Sequence, residues 1–183
     1  MTTLAFFLEE PSAEEMLKGI LPKILPDHVE PRFIVFQGKQ DLEKQLVRRL
    51  RLWRAPDTMF IVLRDQDSGD CRVIKRNLSD KCQVADKPNT VVRIACHELE
   101  SFYLGDLKAV DKGLEINCLS GLQNKRKYRE PDNLANPAQE LMALTKNRYQ
   151  KVSGSRAISK YMDLENNLSH SFNVLVRAIK YIT

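Results

Sequence analysis

Met59-Phe60-Ile61-Val62-Leu63-Arg64-Asp65-Gln66-Asp67-Ser68-Gly69-Asp70 runs from five consecutive apolar residues straight into an acidic, glycine-containing turn. A short apolar run closed by a turn is the pattern of a buried strand, and Val73, Ile74 and Leu78 then mark a helix. The same unit recurs on either side. Leu4 to Leu8 is an apolar run that stops at Glu9. Pro11 and Ser12 then open a helix whose apolar face is Met16, Leu17, Ile20, Leu21, Ile24 and Leu25, with a kink expected at Pro22 and an end at Pro26. Arg32 to Phe36 reads as a second strand closed by Gly38, and Leu42, Leu46, Val47 and Leu50 as a helix ending before Pro56. Val91 to Cys96 is a fourth strand. Strand and helix alternate through the first hundred or so residues, which predicts an α/β fold: a mostly parallel sheet of about four strands flanked by helices.

Beyond residue 97 the pattern is helical: Leu99, Phe102 and Tyr103, then Glu140 to Tyr149, Ile158 to Met162, and Phe172, Leu175, Val176 and Ile179. The polar segment between Gly113 and Pro137 reads as a long surface loop. With 183 residues the expectation is one domain, a core over about 4–106 and a helical C-terminal extension over about 107–183.

Composition narrows the classes. The apolar run at the start is followed at once by Glu9, Glu10, Glu14 and Glu15, unlike a signal peptide, and no stretch approaches the roughly 20 apolar residues of a membrane span. Cys71, Cys82, Cys96 and Cys118 form no CxxC pair, so neither a zinc ribbon nor a disulfide framework is expected, and free thiols point to a reducing cytoplasm. A net charge of +5 favours polyanions. Arg48, Arg49, Arg51 and Arg54 crowd one helical segment and Lys125, Arg126, Lys127 and Arg129 a loop-like one, although such runs read equally as solvated faces.

Ligands of open parallel sheets bind beyond the carboxyl ends of the strands. Here those ends are acidic three times over: Glu9 and Glu10 after the first strand, Asp65 and Asp67 after the third, Glu98 and Glu100 after the fourth. Taken singly, each acid reads as well as a helix N-cap or solvated turn residue. Together they repel one another unless a cation or proton intervenes, and magnesium suits such oxygen-rich sets. His28, His97 and His170 are scattered and support neither a triad nor a zinc site. Trp53 and Tyr103 read as core or core-edge aromatics rather than base-stacking platforms.

These residues carry a resemblance. An apolar strand with an acidic turn, then Asp65-Gln66-Asp67 after another strand, is similar to the TOPRIM domain of topoisomerases, primases and OLD-family nucleases. Leu8-Glu9-Glu10-Pro11-Ser12 is similar to the Glu-Gly-Pro-Ser/Thr turn of the OLD-like group, with Glu10 in place of Gly and Ala13, beside Glu14, in place of a second acid. The wider pattern, including His97-Glu98-Leu99-Glu100-Ser101-Phe102-Tyr103-Leu104-Gly105-Asp106, resembles the uncharacterised bacterial domain of unknown function 4276, a TOPRIM-like family often associated with ATPases and anti-phage functions.

The resemblance implies phosphodiester hydrolysis in nucleic acid assisted by Mg2+, with Mn2+ as a substitute. Glu9, Asp65 and Asp67 are then the first metal ligands, followed by Glu100 and Glu98, and by Glu10. Glu9, Asp65, Asp67 and Lys160 are the expected catalytic residues. Lys151-Val152-Ser153-Gly154-Ser155-Arg156, read as a flexible turn before a helix, offers Lys151 and Arg156 to phosphate. The chain lacks a GxxxxGK[ST] loop, so a separate ABC- or AAA-type ATPase is the expected partner in an anti-phage system, with no membrane involved. A rival reading is a non-catalytic module that uses the same fold to bind a partner protein or nucleotide.

Overall fold

The computed structural model describes residues 2–183. Their order is β1 (Thr2–Leu8), α1 (Pro11–Ile20), β2 (Val29–Val35), α2 (Lys39–Arg51), β3 (Thr58–Asp65), α3 (Cys71–Val84), β4 (Val91–Ala95), α4 (Glu100–Leu104), α5 (Leu107–Gly113), α6 (Pro137–Leu144), α7 (Lys151–Ser159) and α8 (His170–Ile182). The strands form one parallel sheet in the order β2-β1-β3-β4. This is the α/β architecture that the alternation of patterns predicts.

β1 sits inside the sheet, and both its faces are apolar. Leu4, Phe6 and Leu8 join a core shared with α1 and the later helices, whereas Ala5 and Phe7 join a second core under α2 and α3. A side-chain period of two produces this division. From β1 the chain crosses to β2 on one side, then returns past β1 to β3 on the other. Right-handed crossovers in opposite directions put α1 and α2 on opposite faces, and they leave a crevice between the carboxyl ends of β1 and β3.

Four local features depart from the sequence expectation. The first helix stops at Ile20 and tightens into a 3₁₀ turn over Leu21–Lys23, because Pro22 has no N–H to continue the ladder. Lys151 to Arg156 is no flexible turn but most of α7, which packs along α1. Gly19 permits that packing, since a Cβ there would lie 2.0 Å from Ser159 Oγ, and Gly113 at the end of α5 lets α7 pack there too, since a Cβ on it would lie 2.6 Å from Ile158 Cα. Glu140 to Tyr149 is helical only as far as Leu144.

The segment after Gly113 is the fourth. It is folded onto the body through 3₁₀ turns at Ser120–Leu122, Arg126–Tyr128 and Pro131–Asn133. Buried polar anchors hold it. The Asp111 carboxylate accepts from the Leu119 and Ser120 amides (3.0 and 2.7 Å), and Tyr128 donates its hydroxyl to Glu140 (2.6 Å). Asp132 accepts from Ser169 Oγ and the Ser171 amide (2.6 and 2.7 Å). Leu119 and Tyr128 are buried in the same core as β1 and α8, so the helical C-terminal region and the sheet share one apolar interior.

Candidate metal centre

Hydrogen bonds between loops shape the crevice. Phe36 N–H donates to Leu8 O and Gly38 N–H to Glu9 O (both 2.9 Å), tying the turn after β2 to the end of β1. Gly38 has φ +93°, a conformation that favours glycine, and Lys39 follows it as the first residue of α2. On the other side Gln66 N–H donates to Ala95 O (3.0 Å) and Asp67 N–H to His97 O (2.7 Å). Asp67 and His97 both take the left-handed backbone conformation (φ 54° and 57°), a local strain that these paired loops hold in place.

Glu9, Asp65 and Glu100 come together under this rim. Asp65, the last residue of β3, is buried to 9 % exposure. Its pKa is pushed well above the usual carboxylate range, first by burial and then by the negative charges of Glu10, Glu100 and Glu9. Burial also raises Glu9, although the hydrogen bond from the Asp65 amide and the Arg64 guanidinium oppose the shift. Arg64 Nε lies 3.7 Å from Glu9 Oε2, an ion pair too long to be a hydrogen bond, and the same guanidinium pairs with Glu43. Glu100 is fully buried. Tyr149 donates its hydroxyl to Glu100 Oε1 (2.8 Å), while Oε2 is buried without a partner. Burial raises its pKa as well, and the Lys151 charge holds it back.

Glu10 and Asp67 stand at the rim, each already facing a lysine. Lys151 Nζ lies 3.3 Å from Glu10 Oε2, and Ser12 Oγ donates to Glu10 Oε1 (2.6 Å). Lys39 Nζ lies 2.7 Å from Asp67 Oδ2. The remaining predicted residues are elsewhere. Glu98 turns away to cap α6, accepting from the Ala138 amide (2.8 Å). Arg156 pairs with Glu15 on the flank of α1. Lys160 caps the far end of α7, about 13 Å along the axis from Lys151. Lys151 is thus the basic residue of that trio that the fold delivers to the acids. Trp53 and Tyr103 take core-edge and core positions.

Sequence reading missed Lys39, Arg64, Ser12 and Tyr149. Lys39 and Arg64 flank Gly38 and Asp65 in the chain and had a positional signal, whereas Tyr149 reaches Glu100 only through tertiary packing.

A family model described as "Domain of unknown function (DUF4276)" matches residues 8–180. The chain belongs to the DUF4276 family. No curated protein and no solved structure matches it. The match takes in the entire acidic cluster of this DUF4276 chain, from Glu9 to Glu100, together with Lys151.

The donor set suits a hard divalent cation in part. Among the described residues, no three His, Cys, Asp or Glu side chains already stand in metal-ligating geometry. Glu9, Asp65 and Glu100 nevertheless fit: they are oxygen donors whose charges are buried in excess, and one Glu100 oxygen lacks any partner. Asp67 and Glu10 fit by releasing lysines, at small cost, because exposed pairs of this kind contribute only about 0–1 kcal/mol. Glu98 does not fit, since leaving its cap would strand the Ala138 amide at the start of α6.

Proposed function

We propose that this chain is a TOPRIM-type, magnesium-dependent nuclease, hydrolysing phosphodiester bonds of nucleic acid as the effector of a bacterial anti-phage system. The observation that carries this reading is the convergence of Glu9, Asp65 and Glu100 at the point where strand order reverses, with Asp65 buried among like charges. A buried excess of carboxylates is costly without a cation or protons, and a cation retained for function accounts for its presence.

Glu9 and Asp65 would hold the ion, with Asp67 and Glu100 beside them. A divalent cation there supplies Lewis-acid polarisation of a phosphoryl oxygen and a more acidic water. Lys39 and Lys151, one on each side of the acids, bind phosphate oxygens, and Arg64 steadies the Glu9 carboxylate. Glu9, whose pKa burial raises, would take the proton from an attacking water. A separate ATPase partner belongs to the same proposal and rests on the family resemblance.

Incubation of labelled DNA and RNA oligonucleotides with the protein tests the reading, with Mg2+, Mn2+ or chelator and with the Asp65→Asn variant as control. Divalent-dependent cleavage lost in the variant is the expected result. Absence of cleavage, both alone and with an ATPase recovered from the native host, would leave the fold as a binding module.

A further inference from the structure

A second charged feature lies outside the acidic cluster, at the free edge of β4. A pocket of about 190 Å³ wraps this edge between α3 and α8, lined by Arg72, Lys75, Arg93, Ile94, His170 and Val174 among others. Arg72 and Lys75 approach from α3. Arg93 belongs to β4 itself, two residues before Ala95, the register partner of Asp65. None of these three cations forms an ion pair among the described residues. Arg93 Nη1 folds back to its neighbour's carbonyl, Val92 O (2.9 Å), while its Nε is buried with no partner. An orphaned guanidinium N–H normally costs stability, and a bound acceptor relieves that cost.

An added peptide strand does not suit this edge. Ala95 O accepts from Gln66 N–H, so its pairing groups face β3, and by alternation Val92, Ile94 and Cys96 face outward. Val92 O already has the Arg93 side chain and Cys96 N–H already has Ser171 Oγ (3.3 Å), which leaves Ile94 alone between two closed positions. The helix N-termini beside the pocket are likewise satisfied, α3 by Asp70 and α8 by Ser169 and Asp132. What remains in the lining is three cations without an ion pair, and no acid.

The geometry points to a phosphate-binding subsite formed by Arg72, Lys75 and Arg93, which holds a backbone phosphate of a nucleic-acid strand whose neighbouring phosphodiester lies at Glu9 and Asp65. This rests on the nuclease reading only for its ligand class. Arg93 is about 7 Å along the strand direction and about 5 Å across from Asp65, within reach of one short stretch of backbone. Arginine and lysine recognise phosphate through charge-assisted hydrogen bonds, and the site asks nothing of base identity.

The test is binding of the full chain, in chelator, to inorganic phosphate and to a short single-stranded oligonucleotide. Amide NMR shifts serve as the phosphate readout and fluorescence anisotropy as the oligonucleotide readout. Arg72 and Lys75 are exposed, so Arg72→Met/Lys75→Met keeps the fold, which an unchanged melting curve verifies. In that variant oligonucleotide affinity should fall about tenfold and the slope of log affinity against log salt should drop by about 0.7, the loss of one phosphate contact on a single strand. Phosphate should shift the Cys71 and Ile94 amides in the wild type and not in the variant, and Arg93→Met should behave like it. A wild-type chain that fails to cleave but shows these phosphate shifts and this salt slope disproves the nuclease and not the subsite. Unchanged affinity and salt slope in the double variant, or displacement of these shifts by an acidic peptide and not by the oligonucleotide, would overturn the assignment.

Discussion

The Glu9 carboxylate accepts a hydrogen bond from the Asp65 backbone amide (3.2 Å), joining the ends of β1 and β3 across 56 residues of chain. The bond sets one acid directly over the strand that carries the other. It also opposes the rise in the Glu9 pKa, whereas Asp65 is raised mainly by burial and by the surrounding acids.

Asp65→Asn should therefore stabilise the metal-free protein at neutral pH, by about 1–2 kcal/mol. The folded-state pKa of Asp65 lies above the unfolded value, near 4, so the folded protein holds the proton more tightly. Relative stability is full below pH about 4 and is lost as pH rises through the folded pKa. Urea unfolding at pH 4 and pH 7 should show the gain of the variant at pH 7 alone.

Lys39→Met removes the cation that faces Asp67. Magnesium affinity should rise about two- to fivefold, the equivalent of an exposed ion pair, while oligonucleotide affinity falls. Calorimetry with Mg2+ and anisotropy with oligonucleotide separate the two. Equal losses in both would show that Lys39 merely supports the loop.

Tyr149→Phe deprives the buried Glu100 carboxylate of its donor and should cost about 1–3 kcal/mol at pH 7. The cost should shrink in acid, because a protonated Glu100 demands less. Glu100→Gln, which removes the charge, should be milder than Tyr149→Phe in the same unfolding measurement.

Glu98→Ala should destabilise the fold by about 0.5–2 kcal/mol through loss of the α6 cap and leave magnesium affinity unchanged. A clear fall in metal affinity would return Glu98 to the site.

Gly19→Ala would drive a methyl group into Ser159 and push α7 off α1. Overpacking of this kind costs about 1–3 kcal/mol, and because Lys151 reaches Glu10 along the same interface, oligonucleotide binding should weaken too. Thermal unfolding and anisotropy check the two effects together.

Local pattern in the sequence was enough for the four strands, the first three helices and the acidic strand ends, most plainly for β1 and β3, where burial on both faces of a parallel sheet imposes unbroken apolar runs. It marked the amphipathic α8 as well. Strand order was not written there. Only the assembled sheet shows that β1 lies between β2 and β3, which makes Glu9 and Asp65 neighbours. Nor could the chain alone sort its six strand-end acids. Glu98 and Glu100 are two residues apart and chemically alike, yet one caps α6 and the other is buried against Tyr149. The same holds for Lys151, Arg156 and Lys160, which a turn would have gathered and helix α7 instead strings along its length. Local patterns decide which residues form an element and which face it buries. The choice of partner for a charged side chain depends on groups far away in sequence, and so it belongs to the tertiary structure.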